Sequence, residues 1–467
     1  MLKIEPKIRP SLDPDFQPAV LWNRSFRALV AKDSGARPLA LALVRPDGTV
    51  FRHDTRVLAA MHADADLTLR YVERLLKFLL WMKGGSGVLV AGADEVAAKL
   101  AAIYHPKGER AFDFEFMGEK VFGQRFAIEA VAVDALPVAT ETTSPQGRNL
   151  DGCRIGFDLG GSDRKAAALI DGKVVFSEEI AWDPYFQKDP AYHLEGIHDS
   201  LTRAAAHLPR VDAIGGSAAG VYVNNEVRVA SLFRGVPPDR FEAQVRRMFF
   251  TLQQRWGGVP FEVVNDGEVT ALAGSIEMND NAVLGVSMGT SQAGGYVTPQ
   301  GTITTWLNEL AFAPIDYRVR GPRDEWSGDV GCGAQYFSQQ GVARLARAAK
   351  FDFPATLALP EQLLAVQEAL RAGDARARAI YESIGVCFGY AIAHYAEFYE
   401  VRNLLVLGRV TSGEGGEIIL SLAEAVLRAE FPDLAGKIRL CMPDEKNKRH
   451  GQATAAASLP ALPALSR

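Results

Sequence analysis

Four short segments of this sequence join an apolar strand, a turn of small residues and a side chain that can hold or move charge. Residues 155–165 read Ile-Gly-Phe-Asp-Leu-Gly-Gly-Ser-Asp-Arg-Lys. A buried strand delivers Asp158 at its end, and Gly160 and Gly161 let the backbone turn with its N–H groups toward phosphate oxygens. Ser162 and Lys165 add side-chain donors. The same residues also suit a plain hairpin turn. In residues 263–274 a strand ends in Asn265-Asp266 before a helix of small residues, which places a carboxylate where a substrate can approach. Asn or Asp there is equally the usual helix N-cap. Residues 284–296 carry Gly289-Thr290-Ser291 between two strands, a second phosphate-loop candidate or a structural hairpin. In residues 403–416 a buried strand runs into Gly408-Arg409-Val410-Thr411-Ser412, a turn that can admit a flat base, with a helix expected from Glu417.

These segments need a scaffold, and the pattern around them supplies one. Residues 140–152, rich in Thr, Ser, Pro, Gly and Asn, read as a linker that divides the chain at one third. Before it, residues 38–57 read as a hairpin turning at Pro46-Asp47-Gly48. A helix with Val72, Leu75, Leu76 and Leu79 on one face follows, stopped by glycines 84–87, and then a buried strand at 88–90. After the linker the order returns: strands at 154–157, 165–170 and 174–180, a helix at 192–207 and a strand at 211–214. The expected domains are therefore 1–150, 151–275 and 276–467. The first is either a worn copy of the half-domain that follows or an unrelated α/β cap.

The 467 residues exceed one compact core. A net charge of −5 with dispersed Lys and Arg leaves no footprint for nucleic acid or an anionic membrane. Cys153, Cys332, Cys387 and Cys441 have no paired spacing, which argues against a disulfide framework and suits a reducing cytoplasm. No apolar run approaches the roughly 20 residues that span a bilayer.

The ordered set Asp-x-Gly-Gly-Ser-x-x-Lys, Asn-Asp, Gly-Thr-Ser and Leu-Gly-Arg-Val resembles the ROK family of bacterial sugar kinases and related repressors, over residues 154–463. The resemblance implies an α/β, ribonuclease-H-like (actin-like) two-lobe ATPase fold with an extra N-terminal α/β region. It also implies ATP and Mg²⁺ as cofactors and a sugar hydroxyl as acceptor. By the same resemblance Asp266 is the general base, Asn265, Ser217 and Glu309 contact the sugar, and Asp158 holds Mg²⁺ through water. Gly160, Gly161, Ser162, Lys165, Gly289, Thr290 and Ser291 would face the phosphates, and Gly408, Arg409 and Ser412 would border the adenosine.

The chain departs from the family at its zinc motif. Phe312 stands where the family has a histidine, and Cys332 alone remains of a cysteine cluster, so no zinc site is expected. Gln339 or Gln340 replaces a sugar-contacting Glu. Arg409 replaces a glycine and either reaches a phosphate or pairs with Glu414. A catalytically silent sugar- or nucleotide-binding regulator is the alternative to the kinase. The family's repressors carry an N-terminal helix-turn-helix, which the hairpin, helix and strand before the linker do not match. A third reading makes that region a lid or a homodimer contact beside a conventional kinase unit.

Overall fold

The computed structural model describes residues 2–140, 147–443 and 448–463. Of the expected linker, 141–146 lie outside the described residues. The chain after it forms two lobes. The first holds β5 (Cys153–Leu159), β6 (Asp163–Ile170), β7 (Lys173–Ala181), α5 (Pro190–Ala205), β8 (Ala213–Ala218), β9 (Val221–Val223) and β10 (Glu226–Val229), then α6 (Pro238–Arg240), α7 (Met248–Arg255) and β11 (Phe261–Asn265), after which α8 (Asp266–Met278) crosses to pack on the sheet of the second lobe. Its sheet runs β11-β8-β5-β6-β7. β5 pairs antiparallel with β6 and parallel with β8. Every residue of β5 and β8 is buried, as interior strands of a covered sheet require.

The second lobe contains β12 (Val283–Met288), β13 (Gln292–Val297), α9 (Gln339–Ala348), α10 (Leu359–Arg371), α11 (Ala375–Tyr395), β14 (Asn403–Leu407), α12 (Glu414–Glu430), α13 (Pro432–Ala435) and β15 (Arg439–Cys441), with α14 (Lys448–Ala457) at the end. Its sheet runs β13-β12-β14-β15, which is the order of the first lobe without an outer strand. Helix α12 begins at Glu414, three residues before the expected Glu417, because Gly413 at φ 69° sets the helix entry.

The N-terminal region comprises α1 (Ala19–Val30), β1 (Arg37–Val44), β2 (Val50–Val57), α2 (Asp66–Lys83), β3 (Gly87–Ala91), α3 (Asp94–Ile103), α4 (Ala111–Glu115) and β4 (Ala127–Val131). Its sheet runs β2-β1-β3-β4, with β1 antiparallel to both neighbours and β3 parallel to β4. This is the order and sense of the first lobe's sheet with the strand at the place of β5 absent.

Neither end of the chain stays in the domain expected for it. Phe16, Val20, Phe78 and Met82 share a core with β12, α11 and α12 of the second lobe. Asp13 receives hydrogen bonds at 2.6 Å from both Arg318 and Arg344. At the other end α14 leaves the second lobe and lies on the first, which corrects the expected 276–467 boundary. A Cβ on Gly156 or Gly215 would sit 1.7 Å from the carbonyl oxygens of Ala453 and Ala456, so only glycine lets the helix backbone come this close.

A buried ion network joins the N-terminal region to the second lobe. Lys77, fully buried, lies 2.8 Å from Asp113 and 3.3 Å from Asp329. Arg74 and Arg110 both bridge Glu73 to Asp329, at 2.6–3.0 Å. Beside it Phe312 packs on Trp81 and Phe112, with ring centroids 4.3 and 5.5 Å apart, while the Cys332 thiol donates to Asp329 at 3.5 Å. Aromatic rings and ion pairs thus occupy the place where the resemblance puts zinc ligands. No group of three candidate metal ligands occurs among the described residues.

Candidate active site

The β5–β6 turn closes on itself through Gly160 N–H donating to the Asp163 carbonyl at 2.9 Å. Trp182 braces it, its indole N–H donating to Gly160 O at 2.8 Å and its backbone N–H to Ser162 O at 3.0 Å. Asp158, at the end of β5, is 6% exposed and accepts from Ser217 Oγ at 2.6 Å. Burial pushes its pKa up, opposed by that hydrogen bond and by the Lys165 ammonium 3.8 Å away. Ser217 has no exposed surface and its hydroxyl is turned to Asp158. Asp163, to which the sequence reading assigned no role, accepts from Ser162 Oγ at 2.8 Å and lies 3.0 Å from Lys165. A carboxylate therefore holds the two side-chain donors of this turn.

In the second lobe the Gly289-Thr290-Ser291 turn is closed by Gly289 N–H donating to Ser291 O at 2.9 Å, with Thr290 and Ser291 exposed. Gly408, at φ 105°, lies against the end of β12, where a Cβ would meet Met288 O at 2.5 Å. The third and fourth segments thus meet at adjacent residues. A cavity of about 620 Å³ is lined by Lys165 from the first lobe, Gly408, Arg409 and Ser412 from the second, and small residues of α8 and α14. Glu414 pairs with Arg378 at 3.4 Å and not with Arg409.

Asp266 opens α8. The Gly267 N–H donates to Asn265 Oδ1 at 2.7 Å and to Asp266 Oδ1 at 3.0 Å, while Asn265 Nδ2 donates to Gly220 O at 2.7 Å. Asn265 therefore caps the helix and ties it to the β8–β9 loop. The helix start is seated on β13, where a Cβ on Gly295 would fall 2.0 Å from Gly267 O. Burial, reinforced by the charge of Asp158, pushes the Asp266 carboxyl up to about 6. Glu309 is pushed up to about 7 by burial and then by Asp266. Glu268, a residue that sequence reasoning missed, is buried and pushed up to about 8, although Asn308 Nδ2 and the Tyr296 N–H both donate to it. Its position two residues after Asp266 was its only signal. Of the glutamines, Gln339 is buried behind the Gly289 turn, and Gln340 accepts from Gln335 at 2.6 Å.

No family model and no curated protein matches this sequence. Solved structures do match. A ROK hexokinase from Thermus thermophilus superposes with a TM-score of 0.52 at 17% identity, over 66% of this chain and 97% of that one. The fold is that of the ROK sugar kinases. A ROK family glucokinase from Streptomyces griseus, in complex with glucose and AMPPNP, matches at 20% identity over 66% of this chain and 99% of that chain, with a TM-score of 0.49. A ROK family transcriptional regulator, a homolog of the E. coli MLC protein, matches at 20% identity over 66% of this chain and 78% of that one, with a TM-score of 0.48. Nearly the whole of the Thermus chain is thus accounted for by two thirds of this one, which carries a further third beyond the ROK fold. Among the described residues no helix is long and apolar enough to cross a membrane.

Proposed function

We propose that this protein is an ATP-dependent sugar kinase in which Asp266 is the general base. The observation that carries this is a carboxyl held at about 6 at the head of α8, within the field of Asp158, whose neighbour Lys165 lines the 620 Å³ cavity. Such a carboxylate is ionised at neutral pH yet basic enough to accept a proton as the acceptor oxygen attacks. The sugar oxygen forms its bond to the γ-phosphorus, the bond to the β-phosphate oxygen breaks, the hydroxyl proton passes to Asp266, and ADP leaves. Lys165, Ser162 and the turn amides stabilise charge on the phosphates, and Arg409 reaches the nucleotide. Glu309, near 7, holds a neighbouring hydroxyl in line as donor or acceptor.

Asp158 fits a magnesium ion held through water, since its second oxygen faces Lys165 at a distance too long for a hydrogen bond. Bound there, the ion would neutralise charge on the β- and γ-phosphate oxygens. One observation favours a silent nucleotide binder instead: Asp163 already occupies the donors of Ser162 and Lys165. ADP release from Mg-ATP across a panel of hexoses, amino sugars and sugar acids, with Asp266→Asn in parallel, separates the two. Turnover that vanishes in the variant supports the kinase. ATP binding without turnover on any sugar makes the protein a silent binder.

A further inference from the structure

Next to the base lies a second cavity, of about 310 Å³, with walls from all three parts of the chain. Asn265 and Gly220 form its floor, Asn224 in the β9–β10 turn and Thr305 of the second lobe flank it, and Asp47 and Phe122 of the N-terminal region close it. It lies within the size range of small-ligand sites, roughly 300–1,000 Å³. Its walls are fixed. Arg45 donates to Thr305 Oγ1 at 3.1 Å and to the Lys83 carbonyl, which pins the β1–β2 hairpin to the second lobe. Asn225 holds the β9–β10 turn to β11, donating to Phe261 O at 2.6 Å and accepting from Val263 N–H at 2.7 Å.

We propose that this cavity receives a second glycosyl ring of the acceptor, so that the substrate is a neutral glycoside or oligosaccharide and the N-terminal region is its specificity wall. The inference rests on the kinase reading of Asp266. Neutrality fits Arg45, which donates to Thr305 Oγ1 and to the Lys83 carbonyl and lies 4.8 Å from the Phe51 ring centroid, so the protein already engages it. Hydroxyl recognition follows from Asp47, which spends Oδ1 on the Thr49 N–H at 2.9 Å and keeps Oδ2 at the exposed tip of the hairpin. Phe122 adds apolar surface of the kind that packs on the C–H face of a sugar ring. The Thermus hexokinase covers two thirds of this chain, and Asp47 and Phe122 of the wall belong to its N-terminal third.

Calorimetry on the full chain, titrated with glucose, mannose, maltose and cellobiose and paired with turnover on each, tests this. One or two added hydrogen bonds predict a disaccharide bound about tenfold more tightly than its monosaccharide. Asp47→Trp, which fills the cavity from an exposed hairpin tip, should bring that ratio toward one, and Asp47→Ala should reduce it partway. A monosaccharide turned over and bound at least as well as every disaccharide overturns the inference and leaves the kinase intact. A ratio unchanged in Asp47→Trp also overturns it. Absence of binding and turnover for all four sugars overturns the inference, while ADP release across the wider panel decides the kinase separately.

Discussion

Asp266 carries a penalty that the proposed chemistry would use. A carboxyl whose folded pKa lies above its unfolded value is tolerated best when protonated, so folded-state stability falls as pH rises from near 4 through about 6. Asp266→Asn should therefore melt higher than wild type at pH 8, by roughly 1 to 2 kcal/mol once partial solvent exposure is allowed for, with the gap closing near pH 4. The same variant should lose about a hundredfold to ten-thousandfold in kcat while still binding nucleotide. In wild type the acid limb of the kcat profile should fall near pH 6, where Asp266 takes up its proton. Asp163 makes the opposite prediction. Asp163→Asn releases Ser162 and Lys165 for phosphate, and isothermal titration with Mg-AMPPNP should show binding tighter by about threefold to tenfold, the scale of a half-exposed ion pair.

Among the elements, α8 couples fold to chemistry most directly. Because Gly267 and Gly295 bring the helix start against β13, Gly295→Ala should push Asp266, the proposed base, out of place. The expected result is a loss of about 1 to 3 kcal/mol in thermal stability and a fall in kcat larger than any change in KM for ATP. The strands that deliver Asp158 and Asp266, the β1–β2 hairpin and the buried strand before Gly408 were all legible in the sequence, because apolar runs ending in Gly, Asn or Asp leave few alternatives. The direction of Ser217 was not legible. Every residue of β8 is buried, so no alternation separates the side facing Asp158 from the other. The docking of α14 was equally hidden, since Gly156 and Gly215 read as strand glycines until the helix they admit is in place. Asp163 looked like a spacer because its partners are a neighbour and a residue two positions on, contacts that an ordinary turn would also make.

In the whole molecule the N-terminal third shares a core and an ion network with the second lobe. Starting the chain at Asp151 would strip Phe16, Val20, Phe78 and Met82 from the second lobe's core and remove the three cations that pair with Asp329. Such a truncation should be insoluble or fail to show a cooperative melt by calorimetry. Lys77→Met in the full chain should cost about 3 to 5 kcal/mol, the usual effect of breaking a buried pair from one side. The network also sets the acid limit. Burial acts to raise the Glu73 carboxyl, but Arg74 and Arg110 outweigh it and hold the group down to about 2. Stability from Glu73 is therefore present above its unfolded value and lost as pH falls from near 4.5 to about 2, which a pH series of melts would resolve.

The anchoring of the first residues has a consequence for synthesis. Ser11 and Leu12 meet Ser383, and Tyr390 donates to Ile8 O at 3.0 Å, so the start of the chain waits for partners more than 370 positions downstream. At ribosomal rates of about 5 to 20 residues per second, that wait is roughly 20 to 70 s. Throughout it Phe16 and Val20 have no core to enter. Slowing translation should therefore lower the yield of native protein.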